Sequence, residues 1–371
     1  MFFRVAQDRL RNHGMGRGGD LTTFDGDPNK RGRCPVFRSI NDRIRMSGES
    51  NRPRSDSIKR SRSDPMQNLR IALDWTPNTN HTPILLALAH SHYASAGLHV
   101  QIISPASDDY SITPATKLAR SEVDIALCPS ESIISHRYSS HRAPLKAIAT
   151  LLAKDASAIA VLSSSDITRP RQLDGKRYAS YDARFEDATV RAMIRADGGE
   201  GGFEIVKPPK FGIWGALMDG SADATWIFPP WEGVEAEQRG QEVRCFRLEE
   251  YGVPYGLSPV LAVNGDMMGD PGKSEVLRRF LAATKKGAED IVRDMEGAVK
   301  AMELAVPENE KGLVRESLRI LADGGFFGES GKWGEMDGRK WEDWVGWLRQ
   351  QGLLDGIEVD AGDLYDVKYL S

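Results

Sequence analysis

Between Leu73 and Pro83 the chain gathers an indole (Trp75), two side-chain amides (Asn78, Asn80) and an imidazole (His81). An apolar, strand-like run (Leu69 to Leu73) leads into this cluster, and a helix-like run (Pro83 to Ala96) leads out. In an open α/β sheet, ligands bind at the carboxyl ends of strands, so these groups converge on such a position. Stacking surface and hydrogen-bonding groups together suit a flat, nitrogen-rich ring.

Three further strand-to-helix mouths carry polar or aromatic groups. They are Cys128-Pro129-Ser130-Glu131, the stretch from Tyr178 to Glu186 with Tyr181 and Asp182, and Phe228-Pro229-Pro230-Trp231-Glu232-Gly233. Tyr255 to Ser258 lies at a return crossover. Trp75 and Trp231 are placed to sandwich a planar ring, with Glu232 accepting from a ring amine in a charge-assisted contact. Helix starts at Ser130 and Pro230 offer free N–H groups to an anion. The candidate ligand-binding set is Trp75, Asn78, His81, Ser130, Glu131, Tyr181, Glu186, Trp231, Glu232 and Tyr255. Simpler roles compete for each: core packing for Trp75, a helix start for His81, dipole-favoured first turns for Glu131 and Glu232.

No catalytic signature accompanies them. A Gly-x-Ser-x-Gly elbow, a P-loop and a Gly-x-Gly-x-x-Gly after the first strand are all lacking. Gly198 to Gly202 joins a helix to a strand, the wrong end for a phosphate cradle. His90, His92, His136 and His141 read as helix-surface residues without metal-ligand spacing, and no metal site is expected.

The elements that must carry these groups alternate. Strands are expected at Asn68–Trp75, Leu98–Ile103, Val123–Leu127 and Leu145–Leu152, with helices at Pro83–Ala96, Ile112–Arg120 and Ser130–Arg142. A second series runs from Ala158 to Leu248, with helices at Glu186–Ala196, Ile213–Asp219 and Trp231–Arg239. Pro259–Asn264 is a return strand, and four helices fill the tail. Such alternation implies βαβ units on mainly parallel sheets. The run Ala119 to Pro129 echoes Met218 to Pro229, one copy in each series. Two matched α/β lobes around a cleft follow: lobe 1 about 67–157 plus 259–371, lobe 2 about 158–258. Trp341, Trp344 and Leu348 share one helical face and read as core.

Charge separates a leader from this body. Residues 1–66 hold 15 Lys+Arg against 8 Asp+Glu, net +7. The rest has 49 − 15 = 34 basic against 53 − 8 = 45 acidic residues, net −11, which disfavours a nucleic-acid surface. The leader reads as disordered. Three scattered cysteines argue against a disulfide framework. Neither a secretory apolar core nor a membrane span is seen, so a cytoplasmic protein is expected. Oligomeric state is not legible.

The body, about residues 68–371, resembles the SsuA/THI-like superfamily of bacterial solute receptors and fungal thiamine-pyrimidine synthases. The carriers are Asp74-Trp-Thr-Pro-Asn-Thr-Asn-His81, Trp226-Ile-Phe-Pro-Pro-Trp-Glu-Gly-Val-Glu-Ala-Glu-Gln-Arg-Gly240, and Trp333-Gly-Glu-Met336 with Gly352-Leu-Leu354. The resemblance implies a type 2 periplasmic-binding fold with a helical C-terminal tail. It also implies a thiamine pyrimidine precursor as ligand, of hydroxymethylpyrimidine or formylaminopyrimidine type, lined by Trp75, Asn78, Glu131, Trp231 and Glu232. The synthases use pyridoxal phosphate and carry a Lys and a His after the third strand. Here Cys128 and Ser132 stand at those positions, and Tyr255-Gly-Leu-Ser258 replaces a cysteine-rich run. Binding without synthesis is therefore the expectation, with no cofactor assigned. Pyridoxal phosphate and iron belong only to the alternative of a divergent synthase; a second alternative is the solute-binding component of an ABC uptake system.

Overall fold

In the computed structural model, which describes residues 66–138 and 142–370, runs of Val, Ile, Leu and Ala form two five-stranded sheets. The leader expected over 1–66, Met66 apart, and His141 lie outside the described residues. The first lobe begins β1 (Gln67–Ala72), α1 (Thr82–Ala89), α2 (His92–Ser95), β2 (Leu98–Ile103) and α3 (Pro114–Ala119). It continues with β3 (Ile125–Cys128), α4 (Ser130–Tyr138) and β4 (Leu145–Thr150). Lobe 2 holds β5 (Ala158–Leu162), β6 (Arg177–Ala179), α5 (Glu186–Ala196), β7 (Glu204–Val206) and α6 (Ile213–Met218). It is completed by β8 (Ala224–Ile227), α7 (Val234–Gln238) and β9 (Val243–Phe246). The chain then returns through β10 (Val260–Asn264) to α8 (Pro271–Arg293), α9 (Met295–Ala305), α10 (Lys311–Asp323) and α11 (Gly338–Gln350).

Strand order is β2-β1-β3-β10-β4 in one sheet and β7-β6-β8-β5-β9 in the other. Each sheet contains one reversed strand. β10 runs antiparallel between β3 and β4, and β5 antiparallel between β8 and β9. The remaining paired neighbours are parallel. Both reversed strands lie where the chain crosses between sheets, and their central residues are fully buried. Strands covered on both faces need continuous apolar runs.

The internal echo has a physical basis. Asp124 accepts from the backbone N–H and the guanidinium of Arg70, and the same guanidinium donates to Ser121 O. In lobe 2, Asp223 holds Arg177 by the same set of bonds, with Ser221 O and Gly220 O as further acceptors. Each repeated Asp therefore staples one strand to its neighbour's start and lies apart from ligand chemistry.

The structure differs from the sequence expectation in two helices. Pro83–Ala96 is not one helix: α1 stops at Ala89, Ser91 is left-handed (φ 60°) and α2 restarts at His92. Trp231–Arg239 opens with a wide π-type turn over Pro229–Gly233 before α7, because two successive prolines withhold N–H groups. Gly97 does take the left-handed conformation, φ 73°. Trp341, Trp344 and Leu348 are buried. Among the described residues no helix is long and apolar enough to cross a membrane.

The tail helix α8 lies along α1, and Gly287 is where they touch. A Cβ at Gly287 would stand 2.0 Å from Pro83 O and 2.8 Å from Ala87 N, both backbone atoms. Gly346 in α11 has open space around it. Gly287→Ala is expected to destabilise by about 1–3 kcal/mol or more. Gly346→Ala should instead stabilise by about 0.5–1 kcal/mol. Urea unfolding of both variants checks the opposite signs.

Candidate functional site

The site is built on the turn after β1. Asn78 starts a 3-10 turn (Thr79–His81), its side-chain oxygen accepting from Asn80 N–H at 3.0 Å. His81 Nδ1 accepts from the Asn78 N–H at 3.1 Å, so the ring proton sits on Nε2 and is donated to Asp74 Oδ1 at 2.8 Å. A backbone N–H can only donate, which fixes this neutral tautomer. Both His81 nitrogens are thus spent inside the loop. Asn78 keeps its NH2 available. Asp74, in turn, receives the Tyr110 hydroxyl on its carbonyl at 2.6 Å.

Trp75 is half-buried and faces three rings: Tyr110 at 5.4 Å, Tyr181 at 5.7 Å and Phe211 at 5.1 Å between centroids. Tyr181 and Phe211 belong to lobe 2, so the aromatic contact crosses the cleft. All three pairs are tilted or edge-on, the geometry that ring quadrupoles favour.

Trp231 does not share that contact. It is buried in the cluster that contains Leu313, Val314, Leu318 and Leu321 of α10, a lobe 1 helix. The rings in contact with Trp75 are thus Tyr110, Tyr181 and Phe211, while the wide turn sets the Trp231 indole against an apolar helix face. Glu186 is also absorbed locally. It accepts from Tyr178 OH and from the N–H groups of Tyr181 and Ala183, at 2.9, 3.0 and 3.1 Å, and so shapes the loop that presents Tyr181.

Beside the rings lie two buried carboxyls, one from each lobe. Glu131, in the first turn of α4, accepts from Tyr255 OH at 3.1 Å, and the Ser130 hydroxyl is 3.5 Å from its other oxygen. Glu232 accepts from the Phe228 N–H at 2.9 Å. The backbone N–H of Glu232 itself also favours the carboxylate. Burial pushes each carboxyl up to about 7, against the hydrogen bonds that hold it down. Asp155, in the first crossover between lobes, is raised by burial to about 7 as well, despite bonds from Ser157 N–H and Oγ. Burial raises the Tyr181 hydroxyl well above its ordinary range, and Glu232 adds to it, so that phenol faces this carboxyl. Burial likewise raises the Cys128 thiol, with Glu131 and Asp74 adding to it. Acidic groups converge from the ends of β1, β3 and β8.

The last residue of β3 offers a buried thiol rather than an amine, so a pyridoxal Schiff base has no anchor at Cys128. Tyr110 and Phe211 escaped sequence reading. Tyr110 sits at left-handed φ 57° after β2, next to β1 in the sheet; Phe211 follows Pro208-Pro209.

The family model described as "NMT1/THI5 like" matches residues 78–298, more than half of the chain. The chain belongs to the NMT1/THI5-like family. Its relatives include the formylaminopyrimidine-binding protein of Halalkalibacterium halodurans, 25% identical over 302 residues, spanning 80% of this chain and 88% of the relative. A Haemophilus influenzae protein named for thiamine biosynthesis is 25% identical over 293 residues, covering 78% and 88%. The fold is that of periplasmic binding proteins of the SsuA type. The alkanesulfonate-binding SsuA of Xanthomonas axonopodis pv. citri, bound to MOPS, superposes with a TM-score of 0.62 at 14% identity, over 82% of this chain and 100% of that one. A Candida albicans protein with the generic periplasmic-binding-protein fold gives 0.58 at 14% identity, over 81% and 96%. This NMT1/THI5-like chain thus has a solute-binding fold with its aromatic and acidic groups gathered between the lobes.

Carboxyls raised in the folded state have a stability consequence. Between their ordinary value of about 4.5 and about 7, the folded protein binds more protons than the unfolded chain, so stability falls as pH rises through that window. At about 1.4 kcal/mol per unit, each carboxyl lowers stability above pH 7 by up to about 3 kcal/mol. Glu131→Gln and Glu232→Gln should each raise stability at pH 8 by about 1–3 kcal/mol and leave it unchanged near pH 4.5. Denaturant melts of the unliganded protein across pH measure this directly.

Proposed function

We propose that this protein binds a thiamine-type aminopyrimidine, of the hydroxymethylpyrimidine or formylaminopyrimidine class, between its lobes and serves thiamine biosynthesis or salvage. The observation that carries the reading is the pair of buried carboxyls raised to about 7 beside a four-ring aromatic wall. The edge of a 4-aminopyrimidine presents an amine donor next to a ring-nitrogen acceptor. A protonated carboxyl is its complement: the O–H donates to the ring nitrogen and the carbonyl accepts from the amine. Glu232, which acts on the Tyr181 hydroxyl of the aromatic wall, is the better placed of the two for this contact. Trp75 supplies the stacking face and the Asn78 NH2 a further donor.

The same electrostatics speak against a sulfonate. An anion brought to Glu131 and Glu232 would find no Lys or Arg among the groups acting on them, and would meet like charge as they ionise above pH 7. The names of the two curated relatives support a thiamine-related ligand. Cys128 and Cys245 are free thiols, which suits a reducing, cytoplasmic setting. The reading requires neither pyridoxal phosphate nor iron.

Melting the full-length protein with formylaminopyrimidine, hydroxymethylpyrimidine, an alkanesulfonate and pyridoxal phosphate tests the reading. A pyrimidine at 100 times its Kd should add about 2.7 kcal/mol. Trp75→Ala should abolish the shift, and Glu232→Ala should weaken binding by at least about tenfold. Affinity should fall by about tenfold per pH unit above 7, as the shared proton is lost. A shift with the sulfonate and none with either pyrimidine would overturn the proposal. Formation of a new pyrimidine phosphate from pyridoxal phosphate and iron would make the protein a synthase instead.

A further inference from the structure

At the opposite end of α1 from His81, roughly 13 Å along a helix rising 1.5 Å per residue, two histidines and an aspartate converge. Left-handed Ser91 turns the chain between α1 and α2, so the imidazoles of His90 and His92 flank one point, with ring centroids 5.8 Å apart at 89°. Asp290 of α8 projects into that point. His90 Nδ1 lies 2.5 Å and His92 Nε2 2.6 Å from the same oxygen, Asp290 Oδ2. The three atoms fall within 4.8 Å of one another. Sequence reading set the two histidines aside as surface residues, since their partner lies about two hundred positions downstream.

We propose that His90, His92 and Asp290 form a binding site for a zinc-class divalent metal, separate from the interlobe cleft. Three features support it. A tetrahedral zinc ion, with bonds of about 2.0–2.2 Å, separates its ligand atoms by roughly 3.4 Å, so these side chains need to part by less than about 1 Å. Asp290 is 4% exposed and its other oxygen accepts from Arg293 Nη1 at 2.7 Å, which fixes the carboxylate's orientation. Finally, His90 Nε2 and His92 Nδ1 meet no protein partner among the described residues. Each ring can therefore move its proton to the outer nitrogen and present the inner one to a metal.

Two imidazoles and one carboxylate select zinc, cobalt or nickel over magnesium or calcium. The His90 side chain is 36% exposed, which leaves a fourth position to water. A metal here would tie the α1–α2 corner to α8.

The test uses the full-length, untagged protein after chelation and dialysis. Cobalt(II) is titrated as the probe, then displaced with zinc, and melting temperature is followed in parallel. One equivalent of cobalt should give the visible absorption of a tetrahedral site, and zinc should raise the melting temperature. His90→Ala/His92→Ala should lower affinity at least about 100-fold, and Arg293→Ala about tenfold. The histidine variants remove partly exposed side chains, so their circular dichroism and aminopyrimidine response should match the parent. Absence of a cobalt spectrum, or one undiminished in the double histidine variant, would overturn the site.

Discussion

The neutral imidazole of His81 accepts from the Asn78 backbone and donates to Asp74, and this holds the first loop of the cleft in one shape. The loop carries Trp75, and its Asp74 carbonyl receives Tyr110, so two of the aromatic wall's rings depend on it. His81 is 1% exposed, where a lost hydrogen bond leaves a buried group unpaired. Asn78 joins the same network through its backbone N–H and its side-chain oxygen while keeping its amide nitrogen for other work.

Around that brace the molecule buries acids where burial is unfavourable. Glu131, Glu232 and Asp155 are all raised to about 7, and none has a basic side chain within hydrogen-bonding distance. Stability alone would favour amides or apolar side chains at such positions. Retaining three acids near neutrality gives the cleft groups that hold or release a proton at working pH, the property that a hydrogen-bonding heterocycle can use.

The crossover segments link this chemistry to the architecture. Tyr255 packs edge-on against Trp226 of β8 and Trp344 of α11, at 5.1 and 5.4 Å, while its hydroxyl reaches Glu131 in lobe 1. A lobe 2 strand, a tail helix and a cleft carboxyl thus meet on one side chain. The tail helices serve both lobes: α8 packs on α1, and α10 receives Trp231 from lobe 2.

Periodicity and the repeated helix-turn-strand segment were enough to reveal two matched α/β lobes, since burial on both sheet faces imposes apolar runs and an Asp staple recurs at the start of the corresponding strand in each lobe. The mouths holding Trp75, Glu131, Tyr181 and Glu232 were legible too, because strand ends are marked locally by the change from apolar to polar residues. What each side chain does there was decided by tertiary structure. Trp231 packed against α10, Glu186 and His81 closed onto their own loops, and Tyr110 and Phe211 arrived from segments without a strand-end signal. Asp290 joined His90 and His92 across about two hundred residues. A side chain's partners are set by the packing of distant segments and by left-handed or wide turns such as those at Ser91 and Pro229–Gly233, and a linear pattern carries neither.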